Sequence, residues 1–146
     1  MTSVHVVLGV AMVVSSAAAG LWGAWCWYRV MPSDLFWKLL RLSQGLILLV
    51  AVQGGVLLLL GRDVDGLHLL YGVLPVAVSF IGEQLRIAAA ETVLEARGIE
   101  TAAAVGGLPE AEQRSVVLSI VRREMGVMTA CALVSVTLGL RAAGWW

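Results

Sequence analysis

His5 and His68 are the chain's two histidines, and each stands at the head of a long apolar run where few other side chains can hold a proton or a metal. A neutral imidazole offers one nitrogen as a donor and the other as a lone pair, and it is a common metal ligand. If both runs cross a membrane in the same direction, the two rings sit at one depth and can approach one ion from two sides. Tyr71 lies about one helical turn beyond His68, where its hydroxyl could meet a haem propionate or a quinone oxygen. His5, His68 and Tyr71 are therefore the candidate cofactor site, with haem b as the candidate cofactor and its iron as the candidate metal. The plainer reading is a pair of hydrated polar residues at a membrane boundary.

A second constellation is ionic. Glu83 and Arg86 stand as far from the middle of segment 99–108 on one side as Arg122, Arg123 and Glu124 do on the other. In an antiparallel hairpin these five are level with one another. A charge held at the centre of a bilayer costs about 2.5–3.5 kcal/mol, so pairing at a boundary is expected. The expected pairs are Glu83 with Arg122 or Arg123, and Arg86 with Glu124. Such a group acts as an ion-pair clamp or as an anion or proton site at the membrane mouth. Cys26 and Cys131 lie in different runs, roughly 15–20 Å apart along the axis at helical rise, which excludes a disulfide. No Ser–His–Asp set, metal-ligand cluster or phosphate loop appears in the sequence, so no catalytic residue is assigned.

The elements that must position these residues are membrane helices. The chain is 60% hydrophobic and 14% charged, with apolar runs at 4–28, 36–60, 67–82 and 116–140. About 20 apolar residues cross roughly 30 Å of hydrocarbon. Met31-Pro32-Ser33-Asp34 breaks the first helix, and Ser33 or Asp34 can cap the second. The stretch 61–66 is a polar hairpin too short for anything but antiparallel neighbours. Glu83 to Arg97 continues the third run among good helix formers, Gly98 supplies a stop, and Pro109 with Glu110 and Glu112 opens the fourth helix. The expected fold is all-α: one integral membrane antiparallel four-helix bundle over 1–146, with spans at about 4–28, 36–60, 67–97 and 109–141. Helices 3 and 4 exceed the hydrocarbon by about 15 Å and are expected to extend into a cytoplasmic hairpin.

Small and polar residues form one stripe on the third helix (His68, Tyr71, Gly72, Pro75, Ser79, Gly82, Glu83, Arg86). A matching one on the first helix runs His5, Gly9, Met12, Ser16, Ala19, Gly20, Gly23, Trp27. Membrane helices meet through such faces, because lipid gives no drive to bury leucine. Glu124, Met128, Cys131 and Ser135 make the corresponding face of the fourth helix. Two imidazoles at one depth beside a small-residue groove resemble the way membrane cytochrome b bundles hold haem iron.

Orientation follows from basic residues. Arg29, Lys38, Arg41, Arg86, Arg97, Arg114, Arg122 and Arg123 flank the first and third connections, against Arg62 and Arg141 on the other side. The positive-inside rule then puts both termini outside an inner membrane. Ala17-Ala18-Ala19 resembles a signal-cleavage site, but without a basic segment before it the first span is expected to stay.

Zero net charge argues against nucleic acid. The expected partners are the lipid bilayer and other membrane subunits or further copies of the chain. Three functions remain as expectations. The leading one is a non-catalytic accessory, assembly or scaffold subunit working through helix contacts. The alternative is b-type haem electron transfer on His5 and His68. A small oligomeric transporter is third, weakened because the first two spans carry no ionisable residue at mid-membrane depth.

Overall fold

A computed structural model describes residues 2–145. Among them are four α-helices, α1 (Thr2–Tyr28), α2 (Asp34–Leu59), α3 (Gly66–Ala96) and α4 (Glu110–Ala142), with a short 3₁₀ turn, Ala102–Gly107, between the last two. No strand occurs among the described residues. All four helices are long and apolar enough to cross a membrane, as a multi-pass membrane protein requires.

Local chemistry sets the ends. Ser33 caps α2 by accepting from the Phe36 N–H, and Asp65 caps α3 by accepting from Leu67 and His68. Each helix closes with the same pair of backbone bonds, in which the residue after the cap adopts positive φ. Gly61, Gly98 and Gly144 fill that position after α2, α3 and α4. After α1 it is Val30, at φ 52°, whose N–H donates to the Trp27 carbonyl while Met31 donates to Cys26. A β-branched residue in this region is strained.

Tertiary contacts run antiparallel around the bundle. Against α1, α2 places Gly54 at His5, Ser43 at Ser16 and Phe36 at Gly23. Against α3, α4 places Ala142 at His68, Cys131 at Gly82 and Ser115 at Arg97. α4 also packs along α1, whereas α2 and α3 pack sparsely. The bundle therefore has one end with the chain termini (the terminal end) and one with the α1–α2 and α3–α4 connections (the hairpin end).

The main core lies toward the hairpin end, where Cys26, Phe36, Met125 and Met128 are buried with Ala19, Leu40 and Ala132. A smaller cluster of Met12, Ile47 and Val50 lies toward the terminal end. Between them, the buried Ser16 and Ser43 hydroxyls share a hydrogen bond of 2.6 Å. Helices in lipid associate through close packing and such polar contacts. Gly23 shows how close: a Cβ there would overlap both Phe36 of α2 and Thr129 of α4.

Candidate functional site

At the terminal end the bundle brings the two histidines together. Their ring centroids are 6.0 Å apart with planes tilted by 53°. His68 is positioned by the Asp65 cap and by its Nδ1, 2.9 Å from the Ala142 carbonyl oxygen of α4. When that nitrogen donates, Nε2 keeps the lone pair, the arrangement that metal-binding histidines use. His5 rests against α2, its Cε1 lying 3.5 Å from where a Cβ on Gly54 would stand. The His5 Nδ1 and the Gln53 Oε1 are both buried without a hydrogen-bond partner. Tyr71 lies beneath the Arg141 guanidinium, 5.6 Å from its ring centroid. All four helices thus contribute polar groups here. His5 and His68 are the residues that would hold a haem iron here, each through one ring nitrogen. Among the described residues no cluster of three or more His, Cys, Asp or Glu adds to the pair.

About 23 Å along α3 from His68, at 1.5 Å per residue, Glu83 anchors the second cluster. Its partners differ from the expected Arg122 or Arg123. Arg41 of α2 binds it through two nitrogens, at 2.5 and 3.3 Å, and Gln44 donates at 2.9 Å. Arg86 adds a contact at 3.1 Å and lies 3.9 Å from Glu124. The physical reason is register. With Gly82 against Cys131, Glu83 sits about two turns nearer the terminal end than Arg122, facing α2 instead. Arg122 stacks on Trp27 at 5.9 Å, and Arg123 is exposed with no ion pair among the described residues. The Arg86 guanidinium also lies over Trp37, 5.6 Å from its ring.

No family model, curated protein or solved structure matches this chain. The residues alone must carry the reading.

Sequence reasoning passed over four participants: Arg41 and Gln44 at the hairpin end, Gln53 and Arg141 at the terminal end. A signal for the first three was present. Arg41, Gln44 and Gln53 stand within a mostly apolar second run, where a long polar side chain needs a partner. Cys26 is buried and Cys131 partly so, and both are free thiols.

Proposed function

We propose that this chain is a non-catalytic accessory, assembly or scaffold subunit that works within a larger membrane assembly through helix contacts. The observation that carries the reading is the loosely packed seam between α2 and α3. By spacing, Gly55 lies three turns along α2 from Gln44 and Gly72 three turns back along α3 from Glu83, so both fall on the terminal half of that seam. At Gly55 and Gly72 nothing lies within 4 Å of where a Cβ would stand. Bare glycine backbone admits a further helix at close range, the contact that association in lipid depends on. The partner is another membrane subunit or a second copy of this chain. The basic bias between the two ends supports a cytoplasmic hairpin end in an inner membrane, with both termini outside.

Native electrophoresis after mild extraction from membranes tests this. The protein should migrate in an assembly larger than its own 15.5 kDa. Gly55→Leu combined with Gly72→Leu should release it as a monomer with unchanged helix content. A wild-type protein that is monomeric in both mild detergent and lipid nanodiscs refutes the reading.

A second reading, electron transfer on a b-type haem with His5 and His68 as axial ligands, draws support from the ring pair at 6.0 Å. Haem-replete expression separates the two. A low-spin b-type spectrum that disappears in His68→Ala supports haem, and a colourless protein removes it.

A further inference from the structure

Beside the Glu83 cluster, toward the terminal end, an open cleft of about 220 Å³ separates α2 from α3. Its walls are Ile47 and Leu48 from α2 and Val76, Ser79 and Phe80 from α3, and Gln44 and Glu83 close its hairpin end. Leu48 and Phe80 are 57% and 67% exposed, so the cleft opens sideways to whatever surrounds the bundle. Small-molecule pockets begin at about 300 Å³, and a helix is about 10–12 Å across. Neither fits, but a segment of one hydrocarbon chain does, and around a membrane helix that chain comes from lipid.

The closed end of the cleft is basic. The Arg41 side chain remains 51% exposed although Glu83 holds it. Of its five N–H donors, the bonds to Gln44 and Glu83 occupy three. Lys38 lies about one turn nearer the hairpin end, exposed and without an ion pair among the described residues. Across the seam Arg86 is shared between Glu83 and Glu124. Lys38, Arg41 and Arg86 outnumber those two carboxylates by one, and the Glu83 carboxylate is already bound by three side chains. What this corner lacks is a further anionic acceptor. Basic pockets between membrane helices take anionic lipid head groups.

We propose that the hairpin half of the α2–α3 seam binds one anionic phospholipid, its phosphate on Lys38 and Arg41 and an acyl segment in the cleft. A phosphate at that corner stands in the head-group layer, and the seam leads its chain toward the membrane interior. The site is distinct from the partner contact at Gly55 and Gly72.

Native mass spectrometry of the delipidated full chain tests the proposal, titrating phosphatidylglycerol and phosphatidylcholine of identical chains. One phosphatidylglycerol should be retained per protein in preference to phosphatidylcholine, and Lys38→Gln should lower that preference about fivefold, the share of one cation near a membrane surface. Val76→Phe should fill the cleft and remove the retained lipid of either kind, while Gly55→Leu and Gly72→Leu should leave it in place. Circular dichroism checks that each variant folds, and if Val76→Phe does not, Ser79→Leu replaces it. Equal retention of the two lipids by the wild type overturns the proposal, as does phosphatidylglycerol binding that neither Lys38→Gln nor the cleft-filling variant changes. Displacement by soluble glycerol phosphate also overturns it, because the site would then hold free phosphate rather than lipid.

Discussion

Replacing Gly23 with alanine adds one methyl group where three helices meet. That methyl would overlap Phe36 and the Thr129 hydroxyl, and it would stand 2.8 Å from Phe36 Cδ2. Phe36 is 0% exposed and Thr129 5%, so neither side chain has room to swing away. Carbon atoms rest about 3.5–4.0 Å apart, so α1 must retreat from its neighbours by about 1 Å. Forcing extra methylenes into a packed core costs about 1–3 kcal/mol. Gly9 on the same helix is the control, because nothing lies within 4 Å of its absent Cβ. There the same change should be neutral or stabilise by up to about 1 kcal/mol through helix propensity. Unfolding by dodecyl sulfate in mixed micelles, followed by far-ultraviolet circular dichroism, measures both. A Gly23→Ala protein within about 0.5 kcal/mol of wild type, or an equal loss in Gly9→Ala, would refute the packing of α1 against α2 and α4.

Val30→Gly relieves a valine held at φ 52° and should stabilise the protein by about 1 kcal/mol in the same assay; destabilisation would mean that the Val30 side chain matters more than its backbone. A double-mutant cycle of Glu83→Gln with Arg41→Gln should give a coupling of about 1 kcal/mol. The same cycle with Arg122→Gln should give none, and coupling to Arg122 alone would contradict the register of α3 on α4. In a background with Cys26→Ala and Cys131→Ala, cysteines at Ser3 and Ala143 should react with an impermeant thiol reagent added outside intact cells, and one at Ala103 should not. The opposite pattern would reverse the proposed orientation.

Helix positions were legible in the residues because their causes are local. Run length against bilayer thickness, and a cap such as Ser33, act over a few residues. The read helix ends accordingly differ from the structure by only one or two positions. Even here one detail was hidden: Pro32 signals the end of α1, but the strained turn falls on Val30 rather than on a glycine. Depth was equally legible, since counting along parallel helices puts His5 and His68 at one level. Their separation of 6.0 Å was not, because it depends on how α1 and α3 sit across the bundle. The ion cluster shows the same limit more sharply. Counting from the middle of the loop assumed a symmetric hairpin and considered only α3 and α4. The tertiary structure sets the register through contacts such as Gly82 against Cys131, and brings Arg41 and Gln44 from a different helix to Glu83. Residue spacing carries the periodicity of each helix and its depth, whereas azimuth and lateral neighbours come from close packing between residues far apart in the chain.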